Sequence, residues 1–339
     1  MKNQRLSGAG NESISVIAPA RLHLGFMDMH GGMGRYFGSL GLCLAELNTH
    51  LTAYKADEIR VQGPSSQRAL AYIEKIIAHF NIQSGVAITI HEAIPEHAGL
   101  GSGTQLSLAV ATAITKLFGI ETSVREIAVV LERGARSGIG VGTFSMGGFL
   151  VDGGRGKNTD VPPIISHIPF PPEWRIVLIF DEQMQGVNGL AERQAFKQLP
   201  EMDEQVSASI CRIVLMQTLP ALIEKNCEQF GAAIQTIQEM VGDYFADVQG
   251  GRYSSSIVSN ALSWFKEHGA AGVGQSSWGP TGFALFANET QAFQCMRQAR
   301  EVWQDKSGLS FMLCRARNRK ADIIFDVEEV SGHLHINAN

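Results

Sequence analysis

The sequence predicts an α+β protein with two lobes, and three observations support that fold class. The chain has 339 residues, which is more than a single hydrophobic core usually organises. Segments with the two-residue alternation of strands and segments with helical periodicity follow one another along the chain. The hydrophobic share of 45% and the charged share of 18% are typical of an ordered globular protein.

The N-terminal part of the chain begins with strand patterning. Apolar residues alternate with polar ones over residues 14–18 and again over residues 22–26, which is typical of half-buried strands. Arg21 and His23 are two positions apart and would therefore lie on one face of a strand. Residues 28–41 contain five glycines, and this density predicts a loop that could approach a ligand closely.

Strands and helices continue through the rest of the chain. Residues 86–91 alternate as a strand, and residues 106–117 carry apolar side chains at helical spacing. Gly119 occupies the position of a left-handed helix cap, and Ser123 with Glu126 forms a capping-box pattern that opens the next helix. Further helices are predicted at residues 69–80, 203–240 with a break at Pro220, 257–265 and 292–303, and further strands at residues 149–151, 176–180, 282–287 and 323–327.

A cluster of five prolines between residues 162 and 172 marks the predicted boundary between the lobes. Strand patterning restarts soon afterwards, at residue 176. We therefore expect residues 1–165 to form the N-terminal lobe and residues 166–339 to form the C-terminal lobe.

Charge and cysteine content narrow the classes of partner. The net charge is -5, so the chain has no overall positive field that would attract nucleic acid or an anionic membrane. The five cysteines form no C-x-x-C pair, and reduced, mostly buried thiols are expected. No signal-peptide pattern is recognised, and no apolar run approaches the ~20 residues of a membrane span. These features predict a cytoplasmic protein with small-molecule partners, without a nucleic-acid or membrane partner.

A glycine-rich segment, residues 98–105, joins a predicted strand to a predicted helix. Such a turn directs several N–H groups and the positive end of the helix dipole at one point, and phosphate suits this arrangement best. The segment lacks the Gly-Lys-Ser/Thr ending of a Walker loop and does not match the dinucleotide fingerprint G-x-G-x-x-G. The residues alone also leave open a glycine-rich turn without a ligand.

Three segments resemble, in order and spacing, the motifs of the GHMP kinase superfamily. Residues 95–105 are similar to its central phosphate-binding motif P-x-x-x-G-L-G-S-S. Residues 18–23, Ala-Pro-Ala-Arg-Leu-His, resemble its N-terminal strand motif, and residues 272–282 resemble its third glycine-rich motif. The resemblance covers nearly the whole chain. It implies the GHMP-kinase fold, with an N-terminal ribosomal-protein-S5-like lobe and a C-terminal ferredoxin-like lobe.

One motif position departs from the kinase pattern. The superfamily's segment S-G-I/V-D, whose aspartate acts on the substrate hydroxyl in many kinases, is matched here by residues 137–140, with Gly140 in the aspartate position. Glycine has no side chain that could take or orient the proton of a hydroxyl group. The departure favours a superfamily member that is no longer a kinase. Some superfamily kinases lack this aspartate, so an ATP-dependent small-molecule kinase stays open as an alternative.

Several segments together resemble the β-ribofuranosylaminobenzene 5'-phosphate synthase family. They are the loop ending Gly-Ser-Gly-Thr-Gln, residues 137–154, residues 276–281, and an N-terminal motif followed by Asp28 and, seven residues later, Arg35. The resemblance implies a phosphoribosyltransferase-type glycosyltransferase that joins phosphoribosyl pyrophosphate to 4-aminobenzoate or a related aryl acid, with release of carbon dioxide and pyrophosphate. It also implies Mg²⁺ as cofactor, a homodimer, and the first step of tetrahydromethanopterin biosynthesis. The metal ligands are not identified by the sequence.

The resemblance also implies roles for single residues. Asp28 and Arg35 are the predicted catalytic residues. Asp28 would aid metal or substrate placement, and Arg35 would bind a phosphate or the aryl carboxylate, of which the phosphate is favoured. Trp278 would stack on the aryl ring. Each has a simpler structural interpretation: Asp28 as a turn former, Arg35 as a solvated charge, His23 as a satisfied strand histidine and Trp278 as a core residue. The predicted phosphate-binding residues are Gly99, Leu100, Gly101, Ser102, Gly103, Thr104 and Gln105, and the predicted substrate-binding residues are Arg21, His23, Ser276, Ser277, Trp278 and Thr281.

Two other functions stay open at this point. A GHMP-type kinase would bind Mg-ATP at the same loop, and turnover of ATP distinguishes it from the synthase. A non-catalytic binding protein could keep the fold without the chemistry, because fold alone does not fix function. The presence of Asp28 together with Arg35 counts against the binding protein.

Overall fold

Two β-sheets with helices packed on them form the protein, a computed structural model of which describes residues 12–184, 186, 199–304 and 308–327. The strands are β1 Glu12–Asp28, β2 Phe37–Ala56, β3 Arg60–Gln62, β4 Gly85–Glu92, β5 Phe149–Asp152, β6 Ile164–Ile168, β7 Arg175–Asp181, β8 Gly272–Gln275, β9 Gly282–Phe286, β10 Leu309–Cys314 and β11 Asp322–Val327. The α-helices are α1 Ser66–His79, α2 Ser102–Leu117, α3 Val124–Val130, α4 Ile139–Ser145, α5 Glu204–Ile213, α6 Leu219–Ile223, α7 Cys227–Gln249, α8 Ser256–Glu267 and α9 Glu289–Val302.

The two sheets differ in size and pairing. The first has seven strands in the order β11-β1-β2-β4-β3, with β5 paired to the other end of β2 and β6 paired to β5. The second has four antiparallel strands in the order β10-β7-β9-β8. The chain passes to the second sheet between β6 and β7 and returns to the first at β11. The predicted division into residues 1–165 and 166–339 falls inside β6 and stays a prediction.

A long hairpin of β1 and β2 runs through the first sheet. The predicted strands at residues 14–18 and 22–26 are one strand, β1, with register shifts at Pro19/Arg21 and His23/Gly25. The loop predicted over residues 28–41 is much shorter, because β2 already begins at Phe37. Gly41 lies within β2, where a Cβ atom would overlap the Ile139 side chain. This glycine makes room for α4 and not for a ligand.

Three apolar cores hold these elements together. One fills the space between the first sheet and α1, α2 and α3. A second joins both sheets to α5, α6 and α7, and it includes Leu22 of β1, Phe149 of β5 and Phe283 of β9. The third lies between the second sheet and α8 and α9. Because the second core is shared, β1 and the β8–β9 hairpin are held against each other.

The predicted helices are largely confirmed, with one correction at Pro220. The capping box at Ser123 and Glu126 is present, and Gly119 has the expected left-handed backbone with φ 64°. The chain stays helical through Pro220, because the proline sits at the start of α6, after a π-helical segment, Val214–Thr218. Helical structure ends at Ile223 and resumes with α7 at Cys227, so the break lies just beyond the predicted position.

One helical stretch among the described residues, Glu204–Ile223, is long and apolar enough to cross a membrane by length and composition. The stretch contains Glu204, Arg212 and Gln217, so it is not a continuous run of ~20 apolar residues. The stretch packs on β1 and α7, and 33% of its most apolar window is buried. A helix that packs one face on a core passes the same test, and the cytoplasmic location stays a prediction.

Candidate active site

The glycine-rich loop leads into α2, as predicted, and the helix begins at Ser102, earlier than expected. Gly99 and Gly101 have left-handed backbone angles, with φ 76° and 84°. Gly101 is the N-cap, has no side-chain cap, and accepts a hydrogen bond from the Thr104 N–H at 3.1 Å. The N–H groups of Ser102 and Gly103 belong to the first turn and so have no partner within the helix. Both residues line a cleft, which makes the loop suitable for an anion.

The cleft over this loop has a volume of about 500 Å³ and a concentration of positive charge. Of the described residues that line it, four are arginines and Glu132 is the one carboxylate, which pairs with Lys75 at 2.8 Å. The whole chain has a net charge of -5, so this positive field is local. A small polyanion is therefore the class of ligand that the cleft favours. The lining arginines are Arg21, Arg68, Arg133 and Arg136.

The arginines of the cleft differ in their bonding partners. Arg68 pairs with Glu96 at 2.8 Å. Arg133 donates from Nη2 to the Tyr72 hydroxyl at 2.5 Å, and its guanidinium carbon lies 5.1 Å from the centre of the Tyr72 ring. No carboxylate of the described residues pairs with Arg133. Its charge is consequently available to an anionic ligand, with the ring fixing the position of the guanidinium.

Arg21 ties the N-terminal motif to the loop. Its backbone N–H donates to the Leu100 carbonyl at 3.0 Å, and its guanidinium donates to the Gly99 carbonyl. The tip of the β8–β9 hairpin reaches the same point, since Ser276 Oγ donates to the Gly99 carbonyl at 2.8 Å and accepts the His23 N–H at 3.0 Å. The three motifs singled out in the sequence are thus brought together around the loop.

The hairpin tip contributes fewer lining residues than predicted. Ser277 and Trp278 line the cleft, whereas Ser276 and Thr281 do not. Thr281 is fully buried and its carbonyl accepts the Ser276 N–H at 2.9 Å, so both residues shape the tip. Trp278 is only 4% exposed and packs edge-on against Phe245, with ring centres 4.9 Å apart. Trp278 is therefore a core residue that also forms a wall of the cleft.

Two residues of the predicted phosphate-binding loop do not face the cleft either. Leu100 is buried in the shared core. Gln105 is fully buried and donates from Nε2 to the Gly140 carbonyl at 2.8 Å, which ties α2 to α4. The prediction for these two side chains needs correction, because they hold the loop in place from behind. Gly99, Gly101, Ser102, Gly103 and Thr104 line the cleft as expected.

The aspartate position of the kinases offers no carboxylate here. A Cβ atom on Gly140 would lie 3.0 Å from Cγ2 of Thr104, so this site is directly behind the first turn of α2. The Asp152 carboxylate, on the other side of α4, accepts N–H groups of Gly138 at 2.8 Å and Gly154 at 2.9 Å. Burial raises the pKa of Asp152 to about 6, despite these hydrogen bonds. It holds the backbone around α4 and cannot act as a base in the cleft.

His23 lies on the same face of β1 as Arg21 and is buried. Its ring packs edge-on against Phe26, with ring centres 4.6 Å apart. Burial, together with the nearby Arg21 and Arg136 cations, lowers the pKa of His23 to about 3, so the imidazole is neutral at neutral pH. Its Nε2 atom has no hydrogen-bond partner in the described part of the chain, contrary to the interpretation of a satisfied strand histidine.

Asp28 and Arg35 lie outside the cleft. Asp28 is seven residues beyond Arg21 on β1, roughly 20 Å away at ~3.3 Å per residue. Its Oδ1 accepts the N–H groups of His30 and Gly31, both at 2.8 Å, which is the turn-forming role. Arg35 donates to the carbonyls of residues 153 and 154 at 2.5 and 2.7 Å. The geometry gives each residue a structural role, and their catalytic role stays a prediction.

Three arginines of the cleft were missed by sequence reasoning. Arg133 and Arg136 directly precede the segment at residues 137–140 that resembled a superfamily motif, and this position could have drawn attention to them. Arg68 lies on α1, far from any motif, and nothing in the sequence distinguishes it from a surface charge.

Comparison with known proteins agrees with this fold. Residues 67–148 match the family described as GHMP kinases N terminal domain, and residues 218–305 match GHMP kinases C terminal. The solved structure of Lactococcus lactis galactokinase complexed with galactose has a TM-score of 0.68, covering 91% of this chain and 95% of that chain at 14% identity. The predicted GHMP-kinase fold is confirmed, and the chain belongs to the GHMP kinase superfamily.

More similar relatives narrow the class. A protein of Archaeoglobus fulgidus named beta-ribofuranosylphenol 5'-phosphate synthase is 31% identical over 318 residues, which are 90% of this chain and 97% of that protein. The protein of that name in Methanocaldococcus jannaschii is 33% identical over 299 residues, 80% of this chain and 88% of that protein. The chain belongs to the beta-ribofuranosylphenol 5'-phosphate synthase family. The predicted family is thereby confirmed, with a phenol in the relatives' name where the prediction had an aminobenzene.

Proposed function

We propose that the chain transfers a phosphoribosyl group from phosphoribosyl pyrophosphate to the carboxyl-bearing ring carbon of an aryl acid, with release of carbon dioxide and pyrophosphate. Decarboxylation of 4-hydroxybenzoate would leave a phenol and that of 4-aminobenzoate an aminobenzene, so the relatives' name favours the hydroxy acid. The observation that carries the proposal is the cleft in which four arginines meet the open N-terminus of α2. A glycosyltransferase of the phosphoribosyltransferase type was the predicted enzyme class, and it fits this family.

The reaction places its main demand on anion stabilisation. The bond between the anomeric carbon and pyrophosphate breaks, and the electrons leave with the pyrophosphate. The N–H groups of Ser102 and Gly103 and the guanidinium of Arg133 are preorganised donors for this developing charge. The ring carbon then bonds to the anomeric carbon, and loss of carbon dioxide restores aromaticity. No step of this reaction requires a base that acts on a hydroxyl group. A glycine at position 140 is therefore compatible with every step.

The cofactor and the assembly belong to the proposal. No cluster of three or more His, Cys, Asp or Glu side chains suited to a metal ion occurs among the described residues. These residues therefore do not form a dedicated cage, and Mg²⁺ would enter with the phosphate oxygens, which it prefers. The homodimer, the cytoplasmic location and the place at the start of tetrahydromethanopterin biosynthesis complete the proposal.

One incubation tests the proposal against its alternatives. Purified protein is mixed with Mg²⁺, phosphoribosyl pyrophosphate and carboxyl-labelled 4-hydroxybenzoate or 4-aminobenzoate, and labelled carbon dioxide and pyrophosphate are followed. We expect their release in equal amounts. A parallel tube contains ATP and a panel of small alcohols. Consumption of ATP without carbon dioxide release would support the alternative function, an ATP-dependent kinase. Binding of phosphoribosyl pyrophosphate without any turnover would support the non-catalytic binding protein.

A further inference from the structure

A small cavity lies next to the arginine cleft. Its volume is about 30 Å³, which is roughly the space of one water molecule. Ser277 and Trp278 line both the cavity and the cleft, so the two spaces adjoin at the tip of the β8–β9 hairpin. Aromatic rings of Phe26, Phe245 and Trp278 and the imidazole of His23 form much of the cavity wall.

The glutamines that line this cavity are bonded to one another and to the backbone. Gln275 accepts the Ser254 N–H at 2.7 Å and donates from Nε2 to the Ser277 carbonyl at 3.0 Å. Gln238 accepts the Gln275 N–H at 2.8 Å. Gln249 donates to a backbone carbonyl at 2.8 Å. Their hydrogen-bonding capacity is largely used within the wall.

His23 differs from these neighbours. The residue is 4% exposed, and its Nε2 is buried without a hydrogen-bond partner among the described residues. A buried polar atom without a partner destabilises a folded protein, and such an atom in a functional protein commonly meets a ligand or an ordered water. His23 is one of the residues that line the cavity, so a polar group placed there lies beside the imidazole.

We propose that the cavity receives the para substituent of the aryl acid, its hydroxyl or amino group, and that His23 Nε2 is the hydrogen-bond partner of this group. The inference rests on the proposed function and identifies a specificity-determining residue for it. A cavity with room for one water has room for one hydroxyl or amino group and not for the ring. The ring then lies against Trp278, and its carboxyl-bearing carbon, opposite the substituent, points toward the arginine cleft where the sugar phosphate binds.

The electrostatics of His23 agree with this role. Burial and two nearby arginines keep the imidazole neutral, since they lower its pKa to about 3. A neutral imidazole has one nitrogen that donates and one that accepts. A phenolic hydroxyl donates and accepts and so meets either tautomer, whereas an aryl amine chiefly donates and requires an unprotonated Nε2. His23 thereby selects between para substituents while leaving the arginines to the phosphates.

The first test changes the ligand and leaves the protein intact. Isothermal titration of the full-length protein is carried out with 4-hydroxybenzoate, 4-aminobenzoate and 4-methylbenzoate, in the presence and absence of inorganic pyrophosphate. A methyl group fills the same space without a hydrogen bond. We expect 4-hydroxybenzoate to bind at least ~10-fold more tightly than 4-methylbenzoate, as the loss of one buried hydrogen bond implies. Equal affinities, or no binding of any aryl acid, would overturn the inference.

The second test changes the protein. His23→Asn keeps a polar side chain, His23→Phe removes it, and His79→Phe changes an exposed histidine as the matched control. We expect the preference for hydroxyl over methyl to disappear in His23→Phe and to persist in part in His23→Asn. Binding of Mg-phosphoribosyl pyrophosphate should stay within about twofold in all three variants. A parallel loss of phosphoribosyl pyrophosphate binding in folded His23→Phe would mean that His23 only supports the loop, and the inference would fail.

The two proposals fail separately, because binding needs no turnover. Selective, His23-dependent binding of 4-hydroxybenzoate without carbon dioxide release would leave the aryl subsite standing and remove the synthase. Carbon dioxide release without any preference for a polar para substituent would support the synthase and rule out the aryl subsite at His23.

Discussion

The arginine cleft and the tip of the β1–β2 hairpin contain the same kinds of residue and differ in what their polar groups contact. The cleft combines glycines at residues 99–103 with arginines, and it is lined by Ser102 and Gly103, whose N–H groups have no partner within the helix. The hairpin tip, residues 28–36, combines glycines with Asp28 and Arg35, and both charged side chains bond to nearby backbone groups. A donor that already has a protein partner has less to offer a ligand.

This comparison shows that charged residues and glycines form a ligand site only where their polar groups are not already bonded to the protein. Either region could be described from its composition as a ligand-binding loop. The hydrogen bonds separate them, because Asp28 caps a turn while Arg133 has no carboxylate partner among the described residues. We infer that ligand affinity depends on the cleft and that conformational stability depends on the hairpin tip.

A pair of glycine substitutions, one in each region, should show the largest difference between the cleft and the hairpin tip. A Cβ atom on Gly99 would overlap the Ser276 carbonyl oxygen, whereas one on Gly34 would have no described heavy atom within 4 Å. Both glycines have positive φ, 76° and 81°, so the backbone cost of about 1 kcal/mol is common to the two. We expect Gly34→Ala to show only that cost. Gly99→Ala should lose about 3 kcal/mol or more and lower pyrophosphate release at least ~100-fold.

Thermal melts and initial rates of pyrophosphate release measure the two effects. Equal behaviour of the two variants would mean that the loop can move away from the hairpin tip of β8 and β9, and the rigid contact at Gly99 would then be unimportant.

A pair of arginine substitutions separates an effect on ligand binding from an effect on stability. Arg133→Met removes a cation from the cleft, and we expect the KM for phosphoribosyl pyrophosphate to rise at least ~10-fold, as loss of a charge-assisted hydrogen bond implies. Arg35→Met removes bonds to the carbonyls of Gly153 and Gly154, so it should lower the melting temperature and leave that KM within about twofold. Steady-state kinetics and melting curves on both variants provide the measurement. An equal rise in KM for folded Arg35→Met would restore the catalytic role predicted for Arg35.

Local sequence determined the parts of the fold and site that could be predicted. The alternation in β1, the capping box at Ser123 and the turn into α2 depend on neighbours a few residues away, and each was found. The first five residues of β2, 37–41, were predicted as loop because Gly38 and Gly41 indicated one, and no strand was predicted over residues 42–56. The reason for Gly41 is the packing of Ile139, about a hundred residues further along the chain, and periodicity contains no trace of that contact.

The site shows the same limit. The loop at residues 99–104 could be predicted because a glycine-rich turn before a helix has a local meaning. The cleft needed tertiary structure, since Arg68 comes from α1 and Arg133 from the turn after α3. Asp28 and Arg35 were predicted through family resemblance, which gives no distances. Only the folded chain shows that their side chains are bonded to the hairpin tip and its neighbouring turn.

A pH-dependent effect is expected at Asp152, beside the turn that holds Arg35. Burial raises its pKa from 3.8 to about 6, so between these values the folded state binds more protons than the unfolded state. The stability that Asp152 contributes is present below pH ~4 and is lost as the pH rises to about 6, with a slope of at most about 1 kcal/mol per pH unit. Urea unfolding of the wild type and of Asp152→Asn at pH 4, 5, 6 and 7 measures this.

We expect the stability of the wild type relative to Asp152→Asn to fall between pH 4 and 6 and to level off above that range. Asp160→Asn, at an exposed aspartate eight residues away, controls for the loss of one charge and should show no such fall. The KM for phosphoribosyl pyrophosphate should not change in either variant, because Asp152 bonds to backbone behind α4 and does not line the cleft. A relative stability that rises with pH would mean that the hydrogen bonds of Asp152 outweigh its burial, and the carboxylate would then be an ordinary ionised anchor.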